Sequence, residues 1–305
     1  MFGRAVDAAR LRRTSTLHEI QYEAPATLDE ALKLLGSLGE NARPLCGGTD
    51  LLIQMRAGTR RQQYLIDVKR IPELRQLSFD PKTGLRLGAA VPCIEVYENP
   101  AMHEHYPGLT EAAHLIGSLQ IQNRASIGGN LCNGSPAADT TPALIALGAV
   151  ARVAGPKGTR EVAAENFVLS PGRTVLQPGE LLVEFLIPAP RPHSSDAYLR
   201  LIPRNEMDIA VVGVGASVTL EGDKCVAARI ALAAVGPTPI LAGKAADALI
   251  GRKLDDAALE KAAQIAIAAS TPIDDMRGTA EYRRHIVGVL TRRAVSIAAE
   301  RARKN

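Results

Sequence analysis

A chain of 305 residues that is 46% hydrophobic is long enough for two separately cored domains. Its net charge of +4 is mild and its arginines are scattered except near the C-terminus, which excludes the basic stripe with interleaved aromatics of a nucleic-acid protein. Aromatics are only 3% and Trp is absent, so a pocket for any planar ligand has to rely on backbone, aliphatic and small polar groups.

The first nineteen residues carry arginines but no following apolar stretch long enough for a signal peptide or a membrane span, and read as an extension suited to ordering on a partner. A short strand is expected over 19–23. A helix follows, started by a capping box of Thr27 and Glu30, striped by Leu28, Ala31, Leu32 and Leu35, and ended by Gly36 and Gly39. A short run at 43–46, a glycine pair, a helix over 51–57 and a buried strand over 64–68 complete a β-α-β-turn-α-β rhythm.

A second stretch opens with a strand over 84–90 and a helix over 107–117, then reaches the most polar and glycine-rich region, 120–140. A helix over 141–147 and strands at 150–154, 161–163 and 181–187 close this half. Pro188, Pro190 and Pro192 make the linker, since stacked prolines continue neither helix nor sheet. Beyond it come strands over 208–220 and 226–235 and three helices near 242–250, 256–269 and 279–302. In the last, Tyr282, Ile286, Val289, Leu290, Ala294 and Ile297 fall at helical spacing, with Arg283, Arg284, Arg292 and Arg293 expected in solvent. Domains are therefore expected at 20–190, in two parts divided near 75, and at 195–305.

Two segments carry the chemistry. In Leu45-Cys46-Gly47-Gly48-Thr49-Asp50-Leu51-Leu52 a glycine pair stands between a strand and a helix start. Glycine lets the backbone approach a bulky ligand, and free N–H groups at a helix start suit a diphosphate. The same residues read equally well as a tight turn capped by Thr49 or Asp50. The second segment, residues 124–140, packs three glycines, two asparagines, two serines, Asp139 and Thr140 into seventeen residues. So polar a loop lies at the surface unless a ligand satisfies it, and a carboxylate such as Asp139 suits sugar hydroxyls. The four cysteines, Cys46, Cys93, Cys132 and Cys225, form no C-x-x-C and give no ligand set for zinc or iron–sulfur, so a reducing cytoplasm is expected. Gly213-Val214-Gly215 lacks the third glycine of a dinucleotide fingerprint and its valines suit a strand. His103 and His105 read as a helix-end cluster.

Together the two segments resemble, nearly residue for residue, the two FAD signatures of the flavin-binding medium subunit of the molybdenum hydroxylases, a family that includes bacterial xanthine and carbon monoxide dehydrogenases. Glu180-Leu181-Leu182 resembles the family's close of the flavin domain. Arg204-Asn205-Glu206-Met207-Asp208-Ile209-Ala210 is similar to its Arg-x-x-x-Asp-x-Ala signature, and Tyr282-Arg283-Arg284-His285 to its C-terminal helix. The resemblance covers about residues 20 to 300.

It implies an α+β fold: a para-cresol methylhydroxylase-like FAD-binding domain of two subdomains, followed by a smaller α/β C-terminal domain with a short sheet and helices. It implies that Leu45, Cys46, Gly47, Gly48, Thr49, Asp50, Leu51 and Leu52 hold the cofactor's diphosphate, and that Ser126, Ile127, Gly128, Gly129 and Asn130 wrap its other side. Asp139 would bind a sugar and Leu182 would line the flavin pocket. Arg200 stands where a relative has lysine, and Ile116 where some relatives have an aromatic against the adenine. The cofactor implied is FAD, with molybdopterin and [2Fe-2S] clusters confined to a large and a small partner subunit, in a dimer of heterotrimers. Electrons would pass to NAD+, oxygen or another acceptor. No catalytic side chain and no metal ligand is implied for this chain, and substrate choice belongs to the large subunit. The rivals are a free-standing flavin oxidase of the same fold, which needs a substrate base near the ring, and a flavin-free scaffold. Valine at Gly48 or Gly129 is expected to expel FAD and leave the fold intact.

Overall fold

The computed structural model describes residues 19–305, so the expected N-terminal extension lies, but for Glu19, outside the described residues. The first strand, β1 (Gln21–Glu23), leads into the helix Leu28–Leu38. Thr27 caps it: its Oγ1 accepts the Glu30 N–H at 3.3 Å, while the Glu30 carboxylate reaches back to the Ala26 N–H at 3.1 Å. The helix runs through Gly36 and stops only at Gly39, whose φ of 55° an L-residue resists. β2 (Ala42–Leu45) and β3 (Tyr64–Asp67) follow, and the three strands form a parallel sheet in the order β1-β3-β2. Ala31, Leu35, Ile66 and Val68 bury its helix-facing side.

The second subdomain holds β4 (Leu77–Asp80), β5 (Gly84–Gly88), β6 (Val150–Gly155), β7 (Gly158–Ala163), a small ribbon of β8 (Val168–Ser170) and β9 (Arg173–Thr174), and β10 (Leu181–Ile187). Apart from the ribbon they make one antiparallel sheet, β4-β5-β10-β6-β7. Leu85, Leu87, Val153 and Phe185 from its strands meet Leu109, Ile127 and Leu144 from the helices in the largest core. Glu184, buried on the central strand, is held by Arg86 at 2.9 Å and Arg152 at 2.7 Å, which compensates a charge that could not otherwise stand there.

After Pro188–Pro192 the chain forms an antiparallel meander of β11 (Ser194–Leu201), β12 (Val212–Glu221), β13 (Lys224–Ala233) and β14 (Ile240–Leu241). Helices Gly243–Asp247, Asp256–Ala269 and Ala280–Ala302 join it. Gly213-Val214-Gly215 lies in β12, and a Cβ on Gly215 would stand 2.5 Å from the Pro142 carbonyl oxygen, so this glycine lets the C-terminal sheet press onto the helix Thr140–Ala146. The strand at 194–201 was not expected, because its burial on both faces breaks the alternating pattern. The last helix also differs from expectation. Its buried line runs through Val287, Leu290, Ala294 and Ala298, Tyr282 is exposed, and Arg283 is buried, donating to the carbonyls of Val211 at 2.7 Å and Ala234 at 3.1 Å and to Asp275 at 2.6 Å. His103 and His105 do end a short helix, Pro100–His105, where the His105 ring stacks on Phe79 at 4.1 Å. Among the described residues no helix is long and apolar enough to cross a membrane.

Candidate functional site

The parallel sheet ends at β2, and the chain leaves it through Cys46, Gly47 and Gly48. Gly48 has φ +76°, in the left-handed region that side chains resist, and so makes the turn possible. The helix Leu51–Arg56 then starts at Asp50 without any side-chain cap. Among the described residues the N–H groups of Gly48 and Thr49 meet no protein acceptor. The capped-turn alternative therefore does not describe this segment: neither Thr49 nor Asp50 spends its side chain on the helix.

The second segment is not the open loop expected from its composition. Ser126 is extended, its Oγ accepts the Gly129 N–H at 3.0 Å, and this cap starts a helix, Ile127–Cys132, through the glycine pair itself. Asn130 ties that helix to the next one, its Oδ1 accepting from the Thr140 N–H at 3.2 Å and the Thr140 hydroxyl at 2.7 Å.

These two helix starts, some eighty residues apart in the chain, meet directly. A Cβ on Gly47 would lie 2.1 Å from the Arg124 carbonyl oxygen, and one on Gly128 would lie 2.4 Å from that of Ala89. Both are distances no side chain survives, so these two glycines exist for protein-to-protein approach. Cys46 Sγ stands 3.1 Å from Ser126 Oγ, and the Gln54 amide donates to Asn133 Oδ1 at 2.8 Å, closing a second bridge. Gly129 is different. The nearest atom to its missing Cβ is Ser126 Oγ at 3.2 Å, with nothing else within 4 Å. Its free face is the cleft wall.

Two clefts flank this junction. A narrow one of about 110 Å³ is lined by Cys46, Gly47, Gly48, Thr49, Asp50, Leu51, Ile116, Ser126, Gly129 and Asn130 among others. A wider one of about 610 Å³ adjoins it, with Gly128, Gly129, Leu182, Val68, Leu74 and Leu176 in its wall. Arg43, Pro44, Cys46, Gly129 and Cys132 line both. A narrow passage beside the Gly48 and Thr49 N–H groups, sharing a wall with a wider cleft of mixed polar and aliphatic lining, suits a long cofactor with a charged middle. Glycine cradles and unpaired backbone donors fit FAD in kind.

The remaining expected residues fall elsewhere. Leu45 packs beneath the turn with Met55 and Leu65, and Ile127 is buried in the main core. Leu52 is 48% exposed and lines neither cleft. Asp139 and Arg200 hold one another: Arg200 Nη1 lies 2.7 Å from Asp139 Oδ2, and the Tyr198 hydroxyl donates to Oδ1 at 2.8 Å. Both carboxylate oxygens are thus engaged by the C-terminal sheet, and neither cleft counts Asp139 in its lining. Burial pushes the Asp139 carboxyl up to about 6, against the opposing pull of Arg200 and Tyr198. Burial also raises the Cys46 thiol, and raises those of Cys93 and Cys132 to about 12, so all three stay protonated and are poor nucleophiles.

Sequence reasoning missed Arg43, Gln54, Asn133 and Tyr198. Gln54 lies one helical turn past Asp50 and Tyr198 two residues before Arg200, so helix and strand periodicity could have found them. Arg43 carries no such signal.

A family model for the FAD-binding domain in molybdopterin dehydrogenase matches residues 18–190, and one for the carbon monoxide dehydrogenase flavoprotein C-terminal domain matches 197–298. The chain is 36% identical to the carbon monoxide dehydrogenase medium chain of Afipia carboxidovorans over 92% of its own length and 97% of the relative's. It is 31% identical to a putative xanthine dehydrogenase FAD-binding subunit of Escherichia coli over 92% and 96%. A solved structure of reconstituted carbon monoxide dehydrogenase from Oligotropha carboxidovorans contains a chain that superposes with a TM-score of 0.89 at 36% identity, over 92% of this chain and 98% of that one.

Proposed function

The chain belongs to the family of FAD-binding medium subunits of the molybdenum hydroxylases, and from that premise we propose that it relays electrons through one FAD held where its two glycine segments meet. The Gly47 contact with the Arg124 carbonyl carries this reading, since it brings both segments to one cleft. The N–H groups of Gly48 and Thr49 would hold the diphosphate, with the Gly129 face and Asn130 on the opposite wall. Leu182 and its aliphatic neighbours would shield the cofactor from water in the wider cleft. Bound FAD supplies one- and two-electron redox chemistry, while these residues supply position and exclusion of solvent.

Electrons would arrive from the iron–sulfur clusters of a small partner subunit and leave to NAD+, oxygen or another acceptor. A large molybdopterin subunit would oxidise the substrate, in a dimer of heterotrimers working in the cytoplasm. The medium-chain names of the relatives support the division of labour. The Asp139–Arg200 pair would act from behind the site, by fixing the C-terminal sheet against the helix that follows Asn130.

Titrating the purified full chain with FAD tests the reading. Saturable quenching of flavin fluorescence and a yellow, FAD-loaded protein are expected. A colourless chain that takes up no FAD ends it.

A further inference from the structure

Arg43 is the charged residue that both clefts share. It sits on β2, three residues before Cys46, with its side chain partly buried at the junction. Among the described residues its guanidinium makes no ion pair and no side-chain hydrogen bond. After burial, the influence that acts on it most is that of another cation, Arg60, which lines the wider cleft. Burial and that like charge both act against the charged form of Arg43.

The carboxylates nearby do not answer it. Glu180, in the wider cleft, is claimed by Arg160 through two bonds of 2.8 and 2.7 Å. Asp50, in the narrow cleft, is perturbed by burial alone, with no cation contributing. Glu40 is exposed at the rim. Two arginines of one cleft that find no acid among the described residues are set for an anion from outside the fold. The unpaired N–H groups of Gly48 and Thr49 line the same passage.

We propose that Arg43, backed by Arg60, is the cation that neutralises the diphosphate of the bound cofactor; this rests on the FAD reading above. Arg60 is held for the task through Gln54, whose Oε1 accepts from Arg60 Nε at 3.3 Å and whose amide bridges to Asn133. The site thereby trades stability of the empty protein for affinity.

The test uses the full chain with Arg43→Met and Arg43→Lys. Arg43→Met should weaken FAD binding about ten- to a hundredfold and flatten its dependence on salt, and Arg43→Lys should recover most of the affinity. The FAD-free Arg43→Met protein should resist urea at least as well as the parent, because the repulsion from Arg60 is gone. At saturating FAD the flavin midpoint potential should be unchanged, as expected of a group at the phosphates. An unchanged FAD dissociation constant overturns the proposal. So does a lower urea midpoint, which makes Arg43 structural, or a shifted potential, which places it at the ring. If the parent binds FAD, Gly129→Val does not and Arg43→Met binds normally, this proposal fails while the FAD reading stands. If the parent takes no FAD, the FAD reading fails first.

Discussion

The two glycine pairs look alike as sequence and differ in what they do. At residues 46–50 the helix start is uncapped, one glycine wedges against a backbone carbonyl and the other takes a left-handed turn. At residues 126–130 a serine caps the helix start, one glycine is wedged and the other opens onto the cleft. At the first start the N–H groups of Gly48 and Thr49 meet no acceptor among the described residues, whereas the second pair spends one of its own on Ser126. A glycine pair is therefore not one device. In each, one member serves the meeting of two chain segments, and only Gly129 is glycine chiefly for the sake of space in the cleft.

Substituting the wedge should do the most damage. Gly47→Ala drives a Cβ into the Arg124 carbonyl, forcing the segments apart; a stability loss of about 1–3 kcal/mol by urea unfolding is expected, along with loss of flavin. If Gly47→Ala were as stable and as yellow as the parent, the convergence argument would be falsified. Gly129→Val should instead lower FAD affinity more than about tenfold with little change in the urea midpoint of the empty protein, since its Cβ meets only a hydroxyl. Gly48→Val is the poorer probe. Its φ of +76° adds backbone strain to any effect on FAD, so the expectation that it leaves the fold intact does not survive the structure.

Behind the second pair, Asp139 predicts a pH signature. Burial pushes its carboxyl from the usual 3.8 of an aspartate up to about 6 in the fold, so the folded protein keeps this proton to higher pH than the unfolded chain does. The associated stability is full below pH ~4 and is lost as pH rises through ~6. Asp139→Asn should remove that slope, seen as a smaller difference between urea midpoints measured near pH 4 and near pH 7. Equal slopes in parent and variant would mean that Asp139 is not protonated differently on folding. The smallest contrast tests the caps directly: Ser126→Ala should cost about 1 kcal/mol, while Thr49→Ala should cost almost nothing. Equal costs would erase the distinction between the two helix starts.

Much of the architecture was legible from short-range pattern. The Thr27 capping box, the apolar stripe of the first helix, the valines around Gly213 and the proline break before β11 are decided by neighbours in the chain, and each appears where local physics puts it. Most of the cofactor-site expectation also came from two contiguous segments, because backbone donors at a helix start are a local property. Other features depended on partners far away in sequence. Arg283 falls at a helical position that reads as solvated until the carbonyls of Val211 and Ala234 close over it. Asp139 has the chemistry to bind a sugar, yet its two oxygens go to Tyr198 and Arg200 on a strand some sixty residues on. Gly47 and Gly128 suggest room for a ligand, but their neighbours are carbonyls from elsewhere in the same chain. Sequence by itself determined many of the elements, the family resemblance and the chemistry on offer. The tertiary structure decided which polar groups were consumed by the fold and which were left facing the cleft, because a hydrogen bond or a steric contact is settled by proximity in space, and residue spacing carries that information only within a few turns of helix or strand.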